Sequence, residues 1–473
     1  MTVHAEWNKP LLTSKTTTTL QVVVNPLLER KSPIHDEVFR NLKQLGADDV
    51  RYVPWLPYPR LAVAELEPPT ASGTSWDFHL IDPMTEDFLN ATEGHDRILN
   101  FSSAPAWLFK TDKPVTYPSD PDQVFWHYTQ GNELVDPTGG QLGAYYDRLI
   151  DWYTNGGFTD ENGKRHDSGH HYNIAWWEVG NEVDSEHDET PEQYTERYDA
   201  IVSAVRKDNA QMKFVGLALA FPSTHPQMFE YFLNHANHKP SIPLDMISYH
   251  FYATPLREET VDNWQYSFFN QADRFLASID YIESIRKRLS PETKTTLDEI
   301  GSILPTDSDS DNPNNPGPPI SPYYWKLSGA LYSYVYIESV KMGIDVVGES
   351  QLVGYPSQYP SVSLVDWNTG KPNARFATLK LLKDSFSPGD SVIETTSTTD
   401  NIDALAFVHE GTQKLLLVNK RDRSIRVDLP EGFAAASLSQ VITANGASAP
   451  ATEKWQGKSI ELDPFAVAVL STR

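Results

Sequence analysis

Apolar positions along the chain follow two different periods, and the change between them divides it. Up to about residue 386, short apolar or β-branched runs alternate with stretches of helical spacing. Leu20-Gln21-Val22-Val23-Val24-Asn25 predicts a first strand, ended by the Asn-Pro pair. Ser32-Pro33 then opens a helix to about Leu45, with Ile34, Val38, Phe39, Leu42 and Leu45 on one face. Asp49–Val53, Arg97–Phe101, the run Ile174–Trp177, Phe214–Ala218, Asp245–Phe251, Lys294–Ile300 and Ile344–Val347 predict seven more strands. Between them lie predicted helices at Leu142–Trp152, from the capping box Thr190-Pro191-Glu192-Gln193 onward, at Ala272–Leu289, at Tyr324–Met342 and at Arg375–Leu382.

Eight such alternations predict an α/β fold, a (β/α)8 TIM barrel, and the absence of a Gly-rich loop after the first strand argues against a dinucleotide-binding sheet. Beyond about 390 the period shortens: Ala404–Val408, Lys414–Asn419, Ile425–Leu429 and Ala466–Leu470 read as strands of a small β-sandwich. The expected organisation is an N-terminal segment, 1–18, packing on the sandwich, a catalytic barrel over 19–386, and the sandwich over 387–473. Residues 110–138 are too long and too rich in Pro and Asp for an ordinary connection and read as an insertion. Residues 304–322 are rich in Asp, Ser, Asn and Pro and read as a flexible loop on the rim.

Composition narrows the chemistry. The net charge of −25 argues against partners built on phosphate, whether nucleic acid or an anionic membrane. The chain has no cysteine, which removes disulfides, thiolate nucleophiles and Cys-ligated metals together. No run is long and apolar enough to span a bilayer, and residues 1–7 carry neither the basic nor the apolar part of a signal peptide. The expectation is a secreted protein whose leader has been removed, or else a cytoplasmic one. Asn90-Ala91-Thr92 and Asn100-Phe101-Ser102 match the glycosylation sequon, the second by chance inside a strand. The cluster Asp167-Ser168-Gly169-His170-His171 lacks a spaced helical partner, so no metal and no cofactor are expected.

The chain is organised around Trp176-Trp177-Glu178-Val179-Gly180-Asn181-Glu182, which reads as an apolar strand that ends by delivering a carboxylate. In a barrel the reacting groups stand at strand C-termini. Glu182 after strand four and Glu299 after strand seven would face each other across the mouth, and two carboxylates so placed are what glycoside hydrolysis needs. Trp55, Trp107, Trp177 and Trp367 lie near strand ends, where flat rings could bind sugar faces or simply fill the core. Arg51, ending strand two, would hold a nucleophilic carboxylate ionised or make a plain salt bridge; Glu178 reads as a buried partner for a barrel arginine.

These residues resemble clan A retaining glycoside hydrolases, and within the clan most closely family 39, the β-xylosidase and α-L-iduronidase family. The similarity covers the Asn181-Glu182 pair, the Asp298-Glu299 strand, the Gly370-Lys371-Pro372 segment and the C-terminal sandwich. It implies Glu182 as acid/base, Glu299 as nucleophile, Asn181 on the sugar 2-hydroxyl, and His250 and Tyr252 where the clan keeps a hydrogen bond to the nucleophile. Gly180 departs from family 39, which usually has a bulky aromatic there; Gly-Asn-Glu looks more like arabinofuranosidase or glucuronidase families of the clan. The expected activity is cleavage of O-glycosidic bonds in plant or microbial glycans (xyloside, arabinoside, galactoside or uronide), by exo-action. The partner is an oligosaccharide or glycoside substrate. A carbohydrate-binding protein on an inactive barrel, or a transglycosylase with the same site, are the alternatives.

Overall fold

The structure, a computed structural model, describes residues 1–126, 131–309, 319–355, 358–442, 450 and 452–472. Its centre is a closed ring of eight parallel strands. In order they are Thr17–Val23, Asp49–Val53, Asp96–Leu99, Trp176–Glu178, Lys213–Leu219, Met246–Tyr249 continued by Phe251–Ala253, Lys294–Ser302 and Val346–Glu349. Each pairs in parallel with the next, and strand eight closes on strand one through Val346–Thr17 to Glu349–Leu20. At that seam a Cβ on Gly348 would lie 2.0 Å from Thr19 Cγ2, so the two backbones approach as only glycine allows.

Eight helices among the described residues surround the ring: α1 His35–Leu45, α2 Ile81–Ala91, α3 Gly140–Thr154, α4 Pro191–Val205, α5 Pro226–Phe232, α6 Val261–Leu289, α7 Pro322–Met342 and α8 Ala374–Ser385. The capping box at α4 forms as read: Thr190 accepts from the Gln193 N–H while the Gln193 side chain accepts from the Thr190 N–H. α6 begins eleven residues before the apolar repeat predicts, because its first turns use Trp264, Phe268 and Phe269 to pack on α7. Of the 110–138 segment, residues 127–130 lie outside the described residues, as do 310–318 of the 304–322 loop. No helix among the described residues is long and apolar enough to cross a membrane.

The C-terminal part is a sandwich. Seven antiparallel strands form one sheet, Ile425–Asp428 pairs with Ser459–Leu462 in the other, and Val3, Leu415, Leu417, Val427, Phe433 and Leu462 fill the space between. The outermost strand of the larger sheet is N-terminal: Val3–Thr13 pairs antiparallel with Ser391–Ser397. Its second face packs on the barrel, where Phe407 meets Phe386 at 5.0 Å between ring centres. The first eighteen residues thus divide between a sandwich strand and the start of barrel strand one.

Candidate active site

Strand four stops at Glu178, and the chain then turns sharply. Gly180 has φ +77°, and Glu182 itself sits in the left-handed region at φ +43°. A Cβ on Gly180 would come within 2.7 Å of Val183 Cγ1. The turn therefore requires glycine, which is the physical reason no aromatic stands before Asn181. The Glu182 N–H is fixed by the Ala218 carbonyl at 2.8 Å, so strand five holds the turn that presents the acid. Asp184 completes the link by accepting from the N–H groups of Ala220 and Phe221, both at 2.9 Å.

Glu299 lies within strand seven rather than at its end, because that strand runs on to Ser302. Its Oε1 accepts from Gln21 Nε2 at 2.6 Å and from Arg51 Nη1, and its Oε2 accepts from the Tyr252 hydroxyl at 2.6 Å. The Tyr252 hydroxyl is also 2.7 Å from Ser350 Oγ, which donates to Gln21 Oε1. Strand six breaks at His250, whose Nδ1 is 3.0 Å from Glu182 Oε1 and 3.5 Å from Glu299 Oε2. Carboxylate oxygens of Glu182 and Glu299 and a His250 ring nitrogen lie within 4.8 Å of one another.

Arg51 is wholly buried and organises the floor. Its Nε donates to Glu178 at 2.5 Å and its Nη2 donates to Asn181 Oδ1 at 2.7 Å. Glu178 also accepts from Asn100 Nδ2 at 2.8 Å, so Asn100 is part of this network and not a surface sequon. Asn181 Nδ2 in turn donates to Glu186 Oε1 at 2.9 Å, and Trp55 Nε1 donates to the same oxygen at 2.6 Å.

These surroundings separate two chemically identical side chains. Burial raises the Glu182 carboxyl above the ordinary glutamate range, and the charge of Glu299 adds to it, while the His250 hydrogen bond offsets part. Burial acts on Glu299 too, but the charges of His250 and Arg51 and the Tyr252 hydrogen bond outweigh it and hold that carboxyl below the ordinary range. His250 is itself pushed up to about 9, the facing carboxylates overcoming its burial. Burial, with the Glu182 charge, pushes Glu186 up to about 8. Glu182, His250 and Glu299 stand close enough to share a cation. Such a cation would sit against the Arg51 guanidinium and a protonated imidazole, so the charge it could supply is already present.

The pair opens into a cavity of about 720 Å³. Trp55 and Tyr359 line it side by side, their ring centres 6.4 Å apart. Asn181, His250 and Tyr252 line it with the two acids. Three of the predicted tryptophans do not. Trp177 is buried and stacks on Phe101 at 5.7 Å: it alternates with the inward-facing Glu178 and so points to the helices. Trp107 packs against the core and donates Nε1 to the Glu65 carbonyl at 3.0 Å. Trp367 lies in the turn before α8, half-buried against the core. His170 stacks on Tyr153, with ring centres 5.8 Å apart, away from this site. Sequence reasoning missed Gln21, Ser350, Glu186 and Tyr359. Gln21 alone carried a signal, a polar residue inside an apolar strand.

Comparison with known proteins agrees with this architecture. The family model of the α-L-arabinofuranosidase 1 domain matches residues 123–274, and that of the C-terminal immunoglobulin-like domain of D-apionate lactonase matches residues 399–470. A search of curated protein sequences finds no match. Among solved structures, the GH51 arabinofuranosidase of Xanthomonas axonopodis pv. citri is 12% identical over 100% of both chains, with TM-score 0.65. A family 51 α-L-arabinofuranosidase of Bifidobacterium longum is 13% identical over 100% of this chain and 99% of its own, with TM-score 0.66. A GH30 endoxylanase of Clostridium papyrosolvens is 11% identical over 100% of both chains, with TM-score 0.61. The chain has the fold of the clan A glycoside hydrolases, a closed parallel barrel carrying an immunoglobulin-like sandwich.

Proposed function

We propose that the protein is a retaining glycosidase. The observation that carries this reading is the acid pair itself: oxygens of Glu182 and Glu299 within 4.8 Å, one carboxyl held up and the other held down. So close an approach of the two carboxylates favours retention over inversion, in which the carboxyl groups stand about 6.5–9.5 Å apart to admit a water. Glu299 attacks the anomeric carbon as the glycosidic C–O bond breaks, and Glu182 gives its proton to the departing oxygen. Glu182, now ionised, takes a proton from water, whose oxygen displaces Glu299 from the sugar and restores both groups. Asn181, fixed by Arg51 and Glu186, is placed to bond a sugar hydroxyl.

Within the wider set of xylosides, arabinosides, galactosides and uronides, Gly180 fits the Gly-Asn-Glu pattern of arabinofuranosidase and glucuronidase families alike. The arabinofuranosidase model matched over residues 123–274 favours an arabinofuranoside of the two. Trp55 and Tyr359, which line one arc of the cavity, support exo-action.

A panel of aryl glycosides identifies the sugar. With that substrate, Glu299→Gln is expected to abolish turnover. Glu182→Ala should lose about 10² to 10⁴-fold on a poor leaving group, and azide should restore rate with a good one. Wild-type activity in either variant would refute the assignment, and sugar binding with no turnover would favour a binding protein.

A further inference from the structure

The cavity has a second wall that the acid pair does not use. Glu182 follows strand four and Glu299 lies on strand seven, so they divide the barrel mouth into two arcs. The arc through strands eight, one and two supplies Gln21, Trp55, Ser350 and Tyr359, crowded against the nucleophile and Asn181. The arc of strands five and six, with α6 behind it, supplies Phe221, Thr254, Gln271, Arg274 and Ser278.

Gln271, Arg274 and Ser278 share one face of α6 at helical spacing. Gln271 ties that face to the barrel: its Nε2 donates to the Thr254 carbonyl at 2.9 Å and its Oε1 accepts from the Thr254 N–H at 3.1 Å. Phe221 lines the same arc, 55% exposed, with its backbone held by Asp184. α6 has three arginines. Arg286 is paired with Glu283 at 2.8 Å and Arg288 with Glu230 at 2.6 Å. Arg274 has no acid within ion-pair distance and no side-chain hydrogen bond among the described residues, in a chain with 64 acids against 39 lysines and arginines. An exposed guanidinium facing a cavity in so acidic a molecule is free to accept a carboxylate from outside.

We propose that this arc is a leaving-group subsite for a uronic-acid residue, with Phe221 beneath the sugar ring and Arg274 on its carboxylate. The proposal rests on the glycosidase reading, because it takes the group departing from Glu182 to lie on this side of the pair. Enzyme of this kind would release a neutral sugar from an acidic glycan. The net charge of −25 repels such a glycan at a distance, so its recognition must be local and short-ranged.

Binding of methyl β-D-glucuronide and methyl β-D-glucoside is compared by ligand-observed NMR, and both are offered as acceptors with the aryl glycoside that serves as donor. The wild type should favour the uronide about tenfold in both assays, Arg274→Ala should bring the two to parity, and Arg274→Lys should keep part of the preference. Added salt should shrink the preference. Equal binding by the wild type, or a preference that survives Arg274→Ala, overturns the subsite. Failure to turn over any aryl glycoside, with the uronide preference intact, overturns instead the glycosidase reading and with it the leaving-group role.

Discussion

Glu182 and Glu299 bring the same side chain to two different roles in the proposed mechanism, proton donor and nucleophile, and His250 lies beside both. Its imidazolium lowers both carboxyls, Glu182 through a hydrogen bond and Glu299 through charge. The proposed mechanism requires Glu299 ionised and Glu182 protonated, so in it the acid limb of kcat/KM reports the first and the basic limb the second. His250→Gln removes a cation that lowers both groups. Both limbs should therefore move to higher pH, which a pH profile on an activated aryl glycoside measures; a basic limb that stays in place would show that His250 does not govern the acid. At this scale the sequence was legible wherever a residue's place on its own strand decides its direction: Glu299 and Tyr252 line the mouth, and Arg51 lies buried in the floor beneath them. Ser350 and Glu186 were not, and Gln21 only as a polar break in an apolar strand, because each takes its place through partners on other elements, as Gln21 does with Glu299 and Ser350.

Among the elements, the turn after strand four is held from strand five. The Asp184 side chain is 1% exposed and accepts two backbone N–H groups from the strand-five loop, with His225 Nδ1 3.2 Å away. Asp184→Ala removes the charged acceptor of both N–H groups and frees the loop that carries Phe221. We expect a loss of about 3 kcal/mol in stability, read by denaturant unfolding, from two hydrogen bonds to a charged group. A several-fold fall in kcat should accompany it, because the Glu182 turn loses its brace; unchanged stability would place the brace elsewhere. Alternating apolar runs announced all eight strands, yet their ends were misjudged at both acids. Hydrophobicity marks where a strand is buried, whereas the Glu182 turn is set by the φ of Gly180 and the strand-seven end by pairing with Phe251–Ala253. The same alternation, applied at Trp177, would have sent that ring to the helices.

On the scale of the molecule, the sandwich is packed onto the barrel through an apolar face, with Phe407 against Phe386 and Val392, Leu405, Leu416 and Val418 in the same core. Phe407 is 1% exposed, so Phe407→Ala should destabilise by about 3–5 kcal/mol. If barrel and sandwich are one cooperative unit, thermal unfolding of that variant should remain a single transition at lower temperature; two separated transitions would refute the coupling. The barrel and sandwich were both evident from periodicity. The strand Val3–Thr13 was not, because it lies at a sheet edge with most of its side chains exposed and has little apolar pattern to display.

That edge strand has a consequence for how the protein is made. Its partner, Ser391–Ser397, is synthesised nearly the whole barrel later. During that interval this segment has no sheet to join, and the barrel forms between two parts of a sandwich that is still incomplete. Lys9 and Pro10 interrupt it, and the ladder to Ser391–Ser397 is irregular around Pro10. A lysine and a proline on a waiting strand discourage pairing with a neighbouring nascent chain. The irregular register thus reads as a safeguard for the period of synthesis, retained as a flaw in the finished sheet.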